Sequence, residues 1–195
     1  MQFETSPPIT RGLQRVTAKT APLKAVIINA LLFNLVWAAC VIGAARGHAW
    51  IGGLAATAMV GAHLWQSSNR HSELRLILAT AAIGFSADSI LAATGLLQYE
   101  TGIMTSWLAP IWILSLWFAF GTTLNLSLRW LKHRRRLAMA LGAVSGPLSY
   151  FSGSRLGAVG FADTTLALIV LSVTWAILLP ALMQMATHSQ ENTHA

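Results

Sequence analysis

The sequence predicts an all-α membrane protein built as a bundle of six transmembrane helices. Of its 195 residues, 55% are hydrophobic and only 10% are charged, whereas a soluble domain carries roughly 25% charged residues. Six apolar runs have, or nearly have, the length of about 17 to 25 residues that crosses the hydrocarbon core of a bilayer. So little sequence lies between these runs that no separate soluble domain is expected.

The domain boundaries follow from the apolar runs. We expect spans at residues 25–45, 50–65, 74–97, 107–130, 137–156 and 165–186. Residues 1–24 are polar, contain three prolines and are expected to form a disordered basic tail. Residues 187–195 would form a second, C-terminal tail. No cleaved signal peptide is expected, because the first apolar run is longer than a signal core.

The distribution of Lys and Arg predicts the orientation, because cytoplasmic loops collect these residues. With a cytoplasmic N-terminus and six alternating spans, eleven Lys and Arg residues lie inside and only Arg46 and Arg155 lie outside. Both termini are therefore expected in the cytoplasm. The net charge of +7 then reflects topology, and no nucleic-acid partner is expected.

The run KHRRR is the densest cluster of positive charge. Lys132, Arg134, Arg135 and Arg136 could contact anionic lipid headgroups, each contributing about 1 kcal/mol. The alternative is a stop-transfer anchor between two spans.

Asp88 is the one carboxylate deep within a predicted span. It lies about 20 Å along the third helix from Arg75, and burial in lipid is costly enough to suggest a role. Helical spacing places Ala81, Gly84, Ala92 and Gly95 on its face. Such small residues let another helix approach closely, so Asp88 should face protein. It would be either a proton, cation or acid/base site, or a structural hydrogen-bonding partner.

Other polar residues in the spans are candidates for the same buried site. In the fourth span, steps of seven, three and four place Ser115, Thr122, Asn125 and Arg129 on one side of a helix. That side would line a cavity or form hydrogen bonds to other helices. Asn34 in the first span is a similar candidate.

The segment GPLSYFSGSRLGAVG combines small residues with a cation. Ser145, Ser149, Gly153 and Gly157 recur every four residues and predict a face for tight helix packing. Arg155, on the opposite side, has three interpretations. It could extend to the headgroups, pair with Asp88, or form an outer anion site with Arg46 and His48.

Motifs for catalysis or metal binding are absent from the sequence. Cys40 is the single cysteine, so neither an internal disulfide nor a cysteine metal cluster can form. The histidines lack metal-ligand spacing, and no phosphate-binding loop or nucleophile elbow occurs. We therefore expect no catalytic residues, metal or cofactor.

Three segments together resemble a known family: VWAACVIGAARGHAW, APIWILSLWFAFGTTLNLSLRWL and GPLSYFSGSRLGA. They are similar to bacterial inner-membrane proteins that share domain of unknown function 2878 (DUF2878), over roughly Asn29 to Ala186. The resemblance implies a small helical protein of the bacterial inner membrane. It also implies a link to lipid, because members are encoded near fatty-acyl-modifying enzymes. Where the family pattern has a histidine after the asparagine of TLN, this chain has Leu126, which argues against a histidine-dependent site there.

Three functional hypotheses follow. The first is a non-enzymatic protein that handles a lipid-like molecule or is the membrane partner of a lipid-modifying enzyme, with Asp88, Asn125 and Arg155 at its site. The second is a small-solute transporter, formed as a homodimer, in which Asp88 couples transport to protons. The third, an intramembrane enzyme, lacks a paired acid and base in the sequence.

Overall fold

A computed structural model describes residues 22–191, and of these residues the side chains of 22–189. This part of the chain contains six α-helices and one two-stranded ribbon. Their bounds in chain order are α1 Leu23–Ala45, α2 Trp50–Gln66, α3 Arg70–Ala93, β1 Leu97–Gln98, α4 Ile111–Gly121, α5 Arg135–Arg155, β2 Gly160–Phe161 and α6 Thr164–Glu191. The predicted tail 1–24 lies outside the described residues except for its last three, and α6 continues into the predicted tail 187–195.

The all-helical prediction is confirmed, and apolar helices typical of a membrane protein are present. Among the described residues, three helices are long and apolar enough to cross a membrane by length and composition: α1, α3 and α6 up to Ser189. Helix α2 has 17 residues and α4 has 11. Helix α5 carries Arg135, Arg136 and Arg155 at its ends. Six crossings therefore remain a prediction.

The fourth predicted segment, residues 107–130, is not one continuous helix. Helix α4 begins after Pro110 and ends at Gly121. The hydroxyls of Thr122 and Thr123 then donate to the carbonyls of Ala119 and Phe120 at 2.7 and 2.6 Å. Side-chain donors that take backbone acceptors compete with the helix, and the chain continues as turns to a short 3-10 helix at Arg129–Leu131.

Helix α4 is the centre of the bundle. It packs against α1, α2 and α3, while α3 also packs against α6 and α6 against α5. Helices α1 and α5 are thus connected mainly through other helices, and a gap between them leads toward α4.

Contacts between distant segments define two ends of the bundle. At one end, Thr101 donates to the carbonyl of Ala44 at the end of α1, and β1 pairs with β2 in antiparallel register, Leu97 opposite Phe161. At the other end, Ser72 at the start of α3 contacts Ser189 of α6. Lys132 donates there to the carbonyl of Ala186. We call these the ribbon end and the basic end.

The outward faces of the helices are strongly apolar. Leu35 of α1, Val144 of α5 and Ile177 of α6 are each 65% exposed. Exposed leucine, isoleucine, valine and tryptophan side chains continue along the other long helices. Apolar surface of this extent marks contact with a membrane or with another protein.

The close approach of α5 to α6 depends on glycines other than those predicted for this helix. A Cβ at Gly146 would lie 2.2 Å from the Trp175 ring, and one at Gly142 would lie 2.2 Å from the Trp175 carbonyl oxygen. Gly142 and Gly146 therefore bring α5 against α6. The face of α5 that was predicted to pack tightly against another helix does not do so, because Ser145, Ser149 and Gly153 line open space.

Gly84 of α3 is the position at which added volume should do most harm. A Cβ there would lie 2.1 to 2.3 Å from ring carbons of Trp117. We expect Gly84→Ala to lower the melting temperature in detergent, because overpacking costs typically about 1–3 kcal/mol. Gly61→Ala in α2 is the matched control, since nothing lies within 4 Å of that position. Equal melting temperatures for the two variants would contradict the tight contact.

Candidate functional site: a buried carboxylate in an aromatic cavity

Asp88 is buried inside the bundle, as the sequence predicted. Its side chain is 2% exposed. One carboxylate oxygen accepts a hydrogen bond from the indole nitrogen of Trp117 at 2.6 Å, and the other accepts from the Tyr150 hydroxyl. The carboxylate therefore joins α3 to α4 and α5.

Stacked indole rings fix the position of these donors. Trp117 of α4 lies against Gly84, one turn before Asp88, and stacks on Trp175 of α6 with ring centroids 5.2 Å apart and planes 15° from parallel. Trp175 in turn lies against Gly146 of α5. Phe120 packs edge-on against both indoles.

A cavity of about 70 Å³ lies beside the carboxylate. Half of the residues that line it are tryptophan, phenylalanine or tyrosine, and Ser149, Gly153 and aliphatic residues complete the wall. The aromatic residues are Phe33, Trp37, Trp112, Trp117, Phe120, Tyr150 and Trp175. The indole N–H of Trp112 is buried and has no hydrogen-bond acceptor among the described residues.

A groove between α1 and α5 reaches this cavity from the side of the bundle. Its volume is about 330 Å³, and it shares Phe33, Trp37, Phe120, Ser149 and Trp175 with the cavity. Polar side chains line it: Asn34, Ser145, Ser149 and Ser152. The indole of Trp37 donates to the Ser149 hydroxyl at 2.9 Å, so one hydrogen bond from α1 to α5 spans the junction of groove and cavity.

Buried aliphatic residues lie at the ribbon end of the cavity. Val159, next to β2, lines the cavity and is 6% exposed, and Leu97 of β1 packs in the same buried cluster. The lateral groove, by contrast, shares five lining residues with the cavity.

A second polar network occupies the basic end. The imidazole of His63 on α2 forms a hydrogen bond with the carboxylate of Glu73 on α3 at 3.0 Å. The Asn125 amide donates to Glu73 at 2.7 Å, and its oxygen accepts from Lys132 at 2.6 Å. This network connects four segments of the chain through largely buried groups.

Thr122 belongs to a neighbouring contact at the same end. Its hydroxyl accepts from the Asn29 amide at 3.4 Å, and Ser127 donates to the Asn29 oxygen at 2.7 Å. The polar side chains predicted to lie on one side of the fourth span therefore have separate partners. The reason is that α4 ends at Gly121, before Thr122, Asn125 and Arg129.

The residues predicted to share one buried site are thus separated. Asp88 lies in the aromatic cavity, whereas Asn125 and Thr122 lie at the basic end. Asn34 is exposed in the groove and donates to the carbonyl of Ala30 in its own helix at 2.8 Å. Arg155 is exposed at the end of α5, and Asp88 is bonded to Trp117 and Tyr150 instead.

The remaining predicted cations lie at the two ends. Arg46 and His48 are exposed in the turn after α1, on the same side of the bundle as Arg155, since Gly157 lies near Ala45. Arg134, Arg135 and Arg136 are exposed. Lys132 differs from these three because its ammonium group is directed inward to Asn125 and Ala186.

Sequence reasoning missed the partners of Asp88. In the sequence, the tryptophans within the predicted spans resemble ordinary packing residues; they are Trp37, Trp112, Trp117 and Trp175. However, a buried indole N–H needs an acceptor, and Asp88 is the one carboxylate deep within a predicted span. That requirement is the signal that could have pointed to a tryptophan as its partner. Glu73 was also missed. It stands one helical turn into α3 and ten residues after His63, and helix hairpin geometry brings the two together.

The family comparison covers both polar networks. The family model described as "Protein of unknown function (DUF2878)" matches residues 26–181. The chain belongs to this family. The match confirms the resemblance given by the three segments, and the DUF2878 region includes Asp88, Trp117, Tyr150 and Trp175. No curated protein and no solved structure matches the chain. Within the described residues, no group of His, Cys, Asp and Glu is arranged to hold a metal ion.

Double-mutant cycles should separate the partners of Asp88. The hydrogen bond from Trp117 predicts a coupling of about 0.5–3 kcal/mol between Asp88→Asn and Trp117→Phe, the range for residues in direct contact. The cycle of Asp88→Asn with Arg155→Gln is the control. It should be additive to within about 0.5 kcal/mol, because the two side chains share no partner. Unfolding free energies in mixed micelles give both values, and strong Asp88–Arg155 coupling would contradict the geometry.

Proposed function

We propose that this protein is a polytopic protein of the bacterial inner membrane that binds a lipid-like molecule, taken up sideways from the bilayer into the aromatic cavity. The observation that carries the proposal is a groove between α1 and α5 that shares five lining residues with a cavity beside a buried carboxylate. In this function all six predicted spans cross the membrane, the fourth as α4 together with the turns that follow it, and both termini lie in the cytoplasm.

The charge at the two ends supports this orientation. Most of the described Lys and Arg residues belong to the basic end, whereas Arg46 and Arg155 belong to the ribbon end. The residues at the basic end are Lys24, Arg70, Arg75, Arg129, Lys132 and Arg134–Arg136. The asymmetry matches the excess of Lys and Arg in cytoplasmic loops. The exposed arginines of the KHRRR run would then meet the anionic headgroups of the inner leaflet.

The lining of the groove supports an amphipathic ligand. The groove opens between two apolar, exposed helix faces, which is where an acyl chain would approach. The hydroxyl and amide groups that line the groove can form hydrogen bonds with a polar head group but not with a hydrocarbon chain. Ligand sites in proteins are mostly apolar with a few placed polar groups, and this combination fits a molecule with a chain and a polar head.

The orientation is testable with reporter fusions. Alkaline phosphatase folds to its active form only outside the cytoplasm, so a fusion after Glu100 should be active and a fusion at Arg134 inactive. Fusion levels measured by immunoblot serve as the control. Activity at Arg134 alone would reverse the orientation, and activity at both sites would contradict six alternating crossings.

Ligand capture is testable by what co-purifies with the protein. Protein extracted in mild detergent should retain about one lipid-like molecule per chain after annular lipid is removed, as measured by native and lipid mass spectrometry. Ser149→Trp, which places an indole at the junction of groove and cavity, should abolish this retention. Val144→Trp, on the exposed face of the same helix, should leave it unchanged.

Two results would contradict the proposal. One is the same lipid complement for wild type, Ser149→Trp and Val144→Trp at equal melting temperature. The other is an unaltered whole-cell lipid profile in a deletion strain combined with solute flux that requires Asp88, which would favour a proton-coupled transporter.

A further inference from the structure

We infer that the cavity beside Asp88 holds the ammonium group of a membrane amphiphile, with the carboxylate as its counter-ion and indole rings as its walls. The inference rests on the proposed function and specifies which head group the site selects.

The charge of Asp88 is not compensated within the cavity. Trp117 and Tyr150 are neutral donors, and each uses one oxygen, whereas a carboxylate can accept about four hydrogen bonds. The described residues that line the cavity include no Lys, Arg or His. An isolated buried carboxylate is unfavourable, so a bound cation would satisfy both its charge and its remaining acceptor capacity.

The aromatic wall favours the same charge. The faces of tryptophan, tyrosine and phenylalanine attract cations through their quadrupoles, tryptophan most strongly. Trp37 of α1 and Trp112 of α4 line this small space together with Tyr150. Trp117 and Trp175 contribute less to this attraction, because they stack on each other and their opposite faces lie against Gly84 and Gly146. An anionic head would meet a like charge at Asp88. A neutral hydroxyl head could donate one hydrogen bond to the carboxylate but would not compensate its charge.

The available space limits the size of the head. A cavity of about 70 Å³ has room for only a few water molecules. A primary ammonium group fits this volume better than a trimethylammonium group, and its N–H donors can reach the free acceptor positions of the carboxylate. The attached chain would lie in the groove of about 330 Å³ between α1 and α5.

The test compares probes that share one chain and differ in head charge. Wild-type protein in phosphatidylcholine nanodiscs is titrated with decylamine, decanol and decanoate, and binding is followed by tryptophan fluorescence and calorimetry. Empty nanodiscs and Ser149→Trp nanodiscs correct for partitioning into lipid. Ethylamine, which has the ammonium group without the chain, distinguishes a membrane amphiphile from a free amine.

We expect decylamine to bind saturably and at least about tenfold more tightly than decanol or decanoate, since hydrogen bonds to charged partners are about twice as strong as neutral ones. Ethylamine should bind more weakly than decylamine. Equal affinity for ethylamine would retain the ammonium site but make a free amine its ligand. Equal binding of the three chain-matched probes, abolished by Ser149→Trp, would overturn the inference and leave the proposed function standing. No difference between wild type and Ser149→Trp for any probe would overturn both.

A variant confirms the role of the carboxylate. Asp88→Asn should reduce decylamine affinity at least about tenfold and leave decanol affinity unchanged, because it removes the charge from a group of the same shape. Asp163→Asn is the matched control, since Asp163 is exposed at the start of α6, where asparagine also caps well. The probe series on wild type decides the inference if Asp88→Asn fails to fold, whereas unchanged decylamine binding to folded Asp88→Asn would contradict it.

Discussion

The hydrogen bond from the Trp117 indole to Asp88 is the constraint on which the rest of the bundle depends. A tryptophan N–H inside an apolar bundle needs an acceptor, and the carboxylate needs donors. The bond also fixes the plane of the Trp117 ring, and Trp175 stacks on that ring. Because Gly84 and Gly146 lie at the two outer surfaces of the pair, two indoles fit between α3 and α5. The Trp117–Asp88 hydrogen bond and the indole stack thereby fix the spacing of α3, α4, α5 and α6.

The cavity is a consequence of this stack. The stacked rings of Trp117 and Trp175 lie between α4 and α5. Because α5 packs mainly against α6, α1 does not fill the space that remains between itself and α5. Ser145, Ser149 and Gly153 are too small to fill it, and the Trp37–Ser149 hydrogen bond is what connects α1 to α5 there. A face of small residues in a membrane protein commonly serves helix packing. Here the same residues leave a groove, because the close approach of α5 is made at Gly142 and Gly146.

The sequence predicted the helical class, five of the six helices to within a few residues and the burial of Asp88, because apolar length and small-residue spacing are local signals. It could not predict the end of α4 at Gly121, since Thr122 and Thr123 take the carbonyls of their own helix. The site was predicted less well for a related reason. Depth along separate helices left an Asp88–Arg155 pair as one of three interpretations of Arg155. Lateral position decides which side chains meet, and in the structure Tyr150 lies against Asp88 while Arg155 is exposed.

The buried Asp88 and the partly buried Glu73 differ in how their charge is compensated, and this difference argues for different roles. Glu73 faces His63 and is linked through Asn125 to Lys132, so its network contains positive charge and joins four segments, as a structural network does. Asp88 has neutral donors and lies beside open space. A buried carboxylate with a structural role needs a charged partner and hydrogen bonds that satisfy its remaining lone pairs. A carboxylate that keeps acceptor capacity toward an aromatic cavity is instead arranged to receive a positively charged group from outside the chain.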